Sequence, residues 1–343
     1  MTEQRKIGVI FRLWVECMPS HLCGGDSFPG CARYLRTSFF DFSMPITFAP
    51  LSRRGWLQAG LAAAFVPRFS NALESGSEFW ALFSDTHIAA DVTKEARGAV
   101  MGENLRRCVN QVLQAGQKPF GVLVNGDCAY LDGQQEDYDT FVKLIEPLRE
   151  SGVQVHCTLG NHDDRRHFIG AMTSPQNPRP VEGRHVEVLS SATMNWVLLD
   201  SLQEVNKTPG ELGGLQLGWL DRTLANCPDR PTVVLTHHNP ITSTPDDKKP
   251  TGLLDTKALF AILARHKKVK AYIYGHTHSW NHQRDESTGI HLVNLPPVAY
   301  VFSSERPNGW VSARAMADRL VLELRTLNAA HEKHGEKVEI LWG

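Results

Sequence analysis

Apolar segments of strand length alternate with segments of helical period from residue 78 onward. Short apolar runs predict strands within EFWALFSD (78–85), PFGVLVNGD (119–127), GVQVHCTLGNHD (152–163), WVLLDS (196–201), PTVVLTHHNP (231–240) and VKAYIYGHTH (269–278). Apolar positions at helical spacing predict helices over 93–115, 138–148, 214–225 and 254–265. This alternation indicates an α/β fold. Beyond His282, the segments HLVNL (291–295) and RLVLELRTL (319–327) predict a second, more antiparallel sheet.

Polar residues of metal-ligand type follow the predicted strands directly. They are Asp85 and His87, Asp127, Asn161 and His162, His237 and His238, and His276 and His278. Each cluster alone is also what a turn or a helix cap contains. Ligand sites of open α/β sheets lie at the carboxyl ends of strands, so these clusters are expected to converge in space.

The motifs DTH (85–87), NGDCAY (125–130), LGNHD (159–163), LTHHNP (235–240) and YGHTH (274–278) resemble those of the calcineurin-like metallophosphoesterase superfamily. The resemblance extends from Phe79 to Thr326, and the stretch 210–240 is similar to class III cyclic-nucleotide phosphodiesterases. It implies an α/β fold of four layers, an αββα sandwich of two mixed β-sheets flanked by helices. It also implies a metal site at the carboxyl ends of the strands.

The same resemblance implies a ligand map for two divalent or mixed-valence metal ions. One ion would be held by Asp85, His87 and His278, the second by Asn161, His237 and His276, with Asp127 bridging the two. These ligand types suit Mn, Fe or Zn, and the absence of Cys ligands disfavours a structural zinc site. Metals about 3.5–4 Å apart lower the pKa of a bridging water. The implied reaction is in-line attack of the metal-bridging hydroxide on phosphorus, without a phosphoenzyme.

Two further residues of the LGNHD motif are implied to be catalytic. His162 would bind the phosphate or protonate the leaving group, and Asp163 would orient the His162 imidazole. His238 is favoured as a non-ligand, because the family places the ligand three residues before Pro240. Tyr130 has the spacing of the tyrosinate ligand of purple acid phosphatases. Since His87 already fills that coordination position, Tyr130 is interpreted as a packing residue or a neighbour of the ligands.

Several weaker signals leave alternatives open. Arg165 and Arg166 could clamp a phosphate or merely begin a helix. The polar loop Ser243–Gly252 could shape substrate entry or be plain surface. Buried free thiols are the default interpretation of the four remaining cysteines, although a disulfide is open in an oxidising compartment. Those cysteines are Cys108, Cys128, Cys157 and Cys227.

The first 75 residues differ from the rest of the chain. SRRGWL (52–57), QAGLAAAFV (58–66) and PRFSNA (67–72) follow the order of a twin-arginine export signal. We therefore expect a signal segment over 44–72 and a metallophosphoesterase domain over 73–343. Residues 1–43 are expected to be a poorly ordered upstream extension, because a start at Met44 gives a signal of ordinary length. A chance Arg pair on a surface helix is the alternative, and the protein would then be cytoplasmic.

The composition of this 343-residue chain limits the classes of partner that it is expected to bind. Its 36 Lys and Arg against 37 Asp and Glu leave no basic field that would attract nucleic acid. The expected substrate is a small phosphate ester, hydrolysed as a phosphodiester by a metal-dependent enzyme that the twin-arginine machinery exports to the periplasm or the medium. The alternatives are a phosphomonoesterase and a catalytically silent binding module on the same fold. All seven implied ligand positions are filled, which favours an enzyme.

Overall fold

The computed structural model describes residues 77–172, 179–241 and 249–343. The predictions for residues 1–43, for the signal segment 44–72 and for the loop positions 243–248 lie outside these residues. Across the described ranges, no helix is long and apolar enough to span a membrane.

Fourteen strands and five helices make up the described secondary structure. The helices are α1 (Met101–Leu113), α2 (Gln135–Glu150), α3 (Arg165–Met172), α4 (Gly214–Asn226) and α5 (Thr256–Leu263). The first seven strands are β1 (Glu78–Ser84), β2 (Glu95–Ala96), β3 (Ala99–Val100), β4 (Gly121–Asn125), β5 (Val155–Thr158), β6 (Glu187–Ser190) and β7 (Asn195–Leu198). The others are β8 (Thr232–Leu235), β9 (Val269–Tyr274), β10 (Asn281–Arg284), β11 (His291–Asn294), β12 (Gly309–Ala315), β13 (Arg319–Thr326) and β14 (Lys337–Leu341).

Two six-stranded mixed sheets form the centre of the fold. The first has the order β14-β13-β12-β1-β4-β5, in which β1, β4 and β5 are parallel and the other three strands antiparallel. The second has the order β10-β11-β9-β8-β7-β6, with four parallel strands between two antiparallel edges. Both sheets therefore contain parallel strands whose carboxyl ends can build a site.

Alternation along the strands divides the apolar side chains among three cores. In β1, Phe79 and Phe83 join a core with helices α1 to α3, whereas Trp80 and Leu82 face a second core shared by both sheets. Strand β9 behaves likewise, because its alternate residues join the central core and a third core with α4 and α5. The strands look continuously apolar because both faces of each sheet are covered. The result is the expected αββα sandwich.

Two sequence predictions need correction. The helix predicted over 93–115 begins only at Met101, because a short hairpin of β2 and β3 occupies 95–100. Arg97 and Gly98 at its turn have φ of 52° and 77°, a left-handed conformation that a helix cannot accommodate. The C-terminal strands also do not form a separate antiparallel sheet. Strand β11 pairs in parallel with β9, and β13 extends the first sheet beside β12.

Candidate metal centre

All seven implied ligands lie just past the ends of five parallel strands. From the first sheet, Asp85 and His87 follow β1, Asp127 follows β4 and Asn161 follows β5. From the second sheet, His237 follows β8, and His276 and His278 follow β9. Strands β1, β4 and β5 end in register, since Ser84 pairs with Asn125 and Asn125 with Thr158. Residues distant in sequence are thereby brought to one edge.

Five of these seven residues have a left-handed backbone. Their φ values are 51° for Asp85, 45° for His87, 47° for Asp127, 68° for His276 and 50° for His278. Non-glycine residues seldom adopt this region, and strained residues cluster at functional sites. Bonds between the strand ends hold the conformation. The His87 N–H donates to the Asp127 carbonyl at 2.9 Å, and the His276 N–H donates to the Asp85 carboxylate at 3.1 Å.

Three glycines allow these loops to approach closely. A Cβ at Gly126 would lie 2.6 Å from Nδ1 of His237. A Cβ at Gly160 would overlap the Asp127 carboxylate, and one at Gly275 would overlap the Ser84 hydroxyl. The site therefore depends on the absence of side chains at these positions.

Backbone carbonyls fix the orientation of three imidazoles. Nδ1–H of His237 donates to the Asn125 carbonyl at 2.9 Å, and Nδ1–H of His278 donates to the Tyr300 carbonyl at 2.6 Å. Nδ1–H of His162 donates to the Leu131 carbonyl at 2.5 Å. Because a carbonyl only accepts, Nδ1 carries a proton, so each ring in its neutral form has its lone pair on Nε2, as in metal-binding histidines.

The Nε2 atoms converge on two buried carboxylates. Nε2 of His237 lies 3.3 Å from Oδ2 of Asp127, and Nε2 of His278 lies 3.4 Å from Oδ1 of Asp85. The Nε2 atoms of His87 and His278 are 3.0 Å apart. Nitrogen lone pairs this close to carboxylate oxygens repel unless a proton or a cation lies among them; Nε2–H of His87 can donate to Nε2 of His278, and a metal ion could take the place of that proton.

Unpartnered buried atoms show that the residues fit a metal pair. Oδ1 of Asn161 is buried and has no hydrogen-bond partner, and Nε2 of His237 faces Oδ2 of Asp127 at 3.3 Å. Buried polar atoms without partners are rare, and a metal ion is one group that satisfies them. Donor atoms within 4.8 Å of one another form the sets Asp85–His87–His278, His87–Asp127–His162 and Asp127–His237–His276. The first and third sets are the two halves of the implied ligand map, apart from Asn161.

Burial and mutual charge shift the ionisation of the cluster. Burial alone would raise the pKa of Asp85, but His278 and His237 outweigh it and lower the pKa to about 2. Burial lowers the pKa of His87 to about 3 and, together with His237, that of His276 to about 4. His237 is the exception: despite burial, Asp127 raises its pKa to about 10. Asp127 thus demands a cation at Nε2 of His237, which either a proton or a metal ion can supply.

The family follows from comparison with known proteins. The model of the calcineurin-like phosphoesterase family matches residues 81–280. The chain belongs to this family.

The 3',5'-cyclic adenosine monophosphate phosphodiesterase CpdA of Escherichia coli is 30% identical over 245 residues, which cover 68% of this chain and 84% of the relative. CpdA of Haemophilus influenzae is 27% identical over 235 residues, covering 66% and 81%. A dimetal phosphatase from Danio rerio has a similar fold, with a TM-score of 0.59 at 18% identity over 78% of this chain and 99% of that one.

In this calcineurin-like phosphoesterase, His162 faces the candidate ligands. Its backbone N–H donates to Oδ1 of Asp127 at 2.9 Å, and its ring lies 5.3 Å from that of His87. Asp163 is placed differently from the expectation that it orients this ring. Its carboxylate accepts from the N–H groups of Cys128, Ala129 and Gly160 and from the Tyr138 hydroxyl. The Leu131 carbonyl, rather than Asp163, orients the His162 imidazole.

The non-ligand roles of His238 and Tyr130 stay predictions: His238 is absent from the described sets of close donor atoms, although its Nε2 is buried without a hydrogen-bond partner. The Nδ1 atom of His238 pairs with the Ser201 hydroxyl at 2.7 Å, and the ring packs 4.7 Å from that of His276. The side chain of Tyr130 packs against the first core, beneath the Lys94 ammonium.

The arginines and cysteines contribute to structure. Arg165 donates twice to the buried carboxylate of Asp200, at 2.6 and 3.0 Å, and is therefore not oriented as a phosphate clamp. Arg166 is 85% exposed. The four described cysteines are free thiols. A hydrogen bond with Cys157, together with burial, raises the pKa of the Cys128 thiol well above its ordinary value.

Sequence reasoning missed the aromatic wall of the site. Tyr300 stacks on His87 with ring centroids 5.1 Å apart, and Phe302 stacks on His278 at 4.5 Å. Arg97 lies over the Phe302 ring at 4.9 Å. None of these residues lies directly after the end of a parallel strand, so the pattern that located the ligands gave no signal for them.

Proposed function

We propose that this metallophosphoesterase hydrolyses phosphodiesters, with cyclic nucleotides among them, at a centre of two Mn, Fe or Zn ions. The ligands would be Asp85, His87 and His278 for one ion and Asn161, His237 and His276 for the other, with Asp127 between them. One observation carries the proposal: buried imidazole nitrogens and the carboxylates of Asp85 and Asp127 form sets of metal-ligand donors within 4.8 Å of one another. The named activity of the CpdA relatives supports the diester class.

The bound ions and the residues of the chain would contribute different parts of the reaction. Two bound ions would acidify a water between them and stabilise charge on the phosphate oxygens. Asp127 is suited to lie between them, because Oδ2 faces the imidazoles of His237 and His87 while Oδ1 is held by the His162 N–H. The charge of this carboxylate also offsets the repulsion between two cations.

His162 is proposed to assist the leaving group. Its Nδ1–H is held by the Leu131 carbonyl, so Nε2 is the atom that can hold or release a proton at the substrate. Asp163 supports it indirectly, because its carboxylate joins the turn that carries His162 to the backbone of Cys128 and Ala129 and to the Tyr138 hydroxyl. A positioned acid of this kind contributes about 10²- to 10⁴-fold to the rate.

The test combines metal analysis with turnover by the purified chain. We expect about two Mn, Fe or Zn ions per chain by mass spectrometry, and hydrolysis of bis-p-nitrophenyl phosphate and 3',5'-cyclic AMP in preference to p-nitrophenyl phosphate. Preference for the monoester would replace the proposal by a phosphatase. Absence of both metal and turnover after addition of Mn would indicate a binding module.

Substitution of His162 tests its role separately. His162→Ala should lower kcat on bis-p-nitrophenyl phosphate by about 10²-fold or more and leave the metal content unchanged. His167→Ala is the matched control, because that half-buried imidazole donates from Nδ1 to the Gly133 carbonyl and is absent from the described ligand sets. Loss of metal in His162→Ala would contradict the proposed role.

A further inference from the structure

Two aromatic rings pack against the candidate metal ligands, and one of them is exposed to solvent. Tyr300 and Phe302 lie between β11 and β12, and their rings stack on the candidate ligands His87 and His278. The interplanar angles are 24° and 21°, so the contacts are face to face. Phe302 is 51% exposed although it packs on a buried imidazole. Since His278 stacks on the Phe302 ring and the Arg97 guanidinium lies over it, a ligand beside the metal site would meet the exposed part of this ring together with that guanidinium.

An exposed cation completes this surface. Arg97 lies at the turn of the β2–β3 hairpin, and its guanidinium is 4.9 Å from the Phe302 centroid and 5.8 Å from that of Tyr300. Within 77–172, 179–241 and 249–343, no carboxylate forms an ion pair with Arg97. Its charge is therefore available to a ligand.

We propose that Phe302, Tyr300 and Arg97 form a subsite for the planar aromatic group of the phosphate ester, a nucleobase where the substrate is a cyclic nucleotide. This inference rests on the proposed function, because it assigns the group attached to the phosphate. Nucleobases stack on aromatic rings and on guanidinium planes irrespective of base identity. The subsite thus selects esters with an aromatic group over esters with small alkyl groups.

Another exposed aromatic residue provides the comparison. Phe120 is 57% exposed and packs on Trp80 with centroids 5.1 Å apart. It directly precedes β4, whereas Asp127 follows the other end of that strand. Exposure of a ring is therefore not confined to the site, but Phe302 is in contact with a candidate ligand.

The test measures binding of AMP and inorganic phosphate to the metal-loaded chain, as inhibition of bis-p-nitrophenyl phosphate hydrolysis. Phe302→Leu should raise the inhibition constant of AMP about 5- to 100-fold, the loss expected for one stacked base, and change that of phosphate less than about twofold. Arg97→Gln should weaken AMP more than phosphate. Phe120→Leu should change neither, and the metal content of all variants should match the parent.

The subsite and the proposed function can be contradicted independently of each other. Calorimetric titration of the same Mn-loaded proteins with AMP gives the comparison without turnover. Unchanged AMP affinity in Phe302→Leu, or equal weakening of AMP and phosphate, overturns the subsite. Absence of hydrolysis by the parent overturns the proposed function, while a selective loss of AMP binding in Phe302→Leu would still support the subsite.

Discussion

Gly160 marks the closest approach between the β5 and β4 loops. A Cβ at this position would overlap the Asp127 carboxylate and lie 2.7 Å from the His237 ring. We therefore expect Gly160→Ala to displace Asp127 and to reduce metal content and kcat together, kcat by at least about tenfold, since small displacements of reacting groups are costly.

Gly214→Ala is the matched control for this substitution. Gly214 begins α4, and nothing lies within 4 Å of its added Cβ. Its metal content and kcat should equal those of the parent. Full metal binding by Gly160→Ala would show that the two loops can move apart.

His291 predicts a pH dependence of stability away from the metal site. Burial, aided by His282 and Arg284, lowers its pKa to about 4 from an ordinary 6.5. The unfolded chain therefore binds the proton first as pH falls, and the free energy of unfolding should decrease between about pH 7 and pH 4. In urea unfolding with chelator present, His291→Gln should lose less stability between pH 7.5 and 5 than the parent. Equal losses would contradict the prediction.

The candidate ligands could be predicted at this scale because they are unusual residue types directly after apolar runs. Their left-handed backbone could not, because five non-glycine residues with positive φ are imposed by contacts between loops. Tyr300 and Phe302 carry no local signal, since their roles arise only when β11 and β12 bring them against His87 and His278.

At the scale of elements, α3 is anchored through one buried ion pair. Arg165 at its start donates to Asp200, which follows β7 and also accepts from the His185 N–H at 2.9 Å. Arg165→Met would remove the ion-paired cation from that buried carboxylate and leave only Arg184 nearby, which should lower the free energy of unfolding by up to about 3 kcal/mol. Urea unfolding provides the measurement.

Arg166→Met distinguishes this role from phosphate binding. The Arg166 side chain is 85% exposed, so its loss should change stability by less than about 0.5 kcal/mol. If Arg165 instead clamps phosphate, Arg165→Met would raise KM without affecting unfolding.

The order of strands and helices was predictable because each sheet is covered on both faces, which makes its strands continuously apolar. The β2–β3 hairpin was not, because its two-residue strands are too short to show alternation and Ala and Val fit the adjoining helical period. The sheet that each C-terminal strand joins depends on long-range pairing, which periodicity does not specify.

At the scale of the whole molecule, the candidate centre joins the two sheets. Ligands after β1, β4 and β5 come from one sheet, and those after β8 and β9 from the other. Bound ions should therefore resist separation of the sheets. Metal present at about 100 times its Kd stabilises the folded state by about 2.7 kcal/mol.

Removal of metal should consequently lower the thermal midpoint. For a domain of this size the expected decrease is about 5–10 °C, measured by calorimetry with and without chelator. Restoration by Mn is the control. An unchanged midpoint after verified metal removal would mean that the ions do not connect the sheets.

The wide spacing of the ligands along the chain also governs when the site can form. The candidate ligands extend from Asp85 to His278, so the chain between these two residues must be brought together before the site is complete. A topology dominated by such distant pairings folds slowly. A chain still emerging from the ribosome has no complete set of candidate ligands until His278 is available, so we expect metal loading to follow the pairing of both sheets.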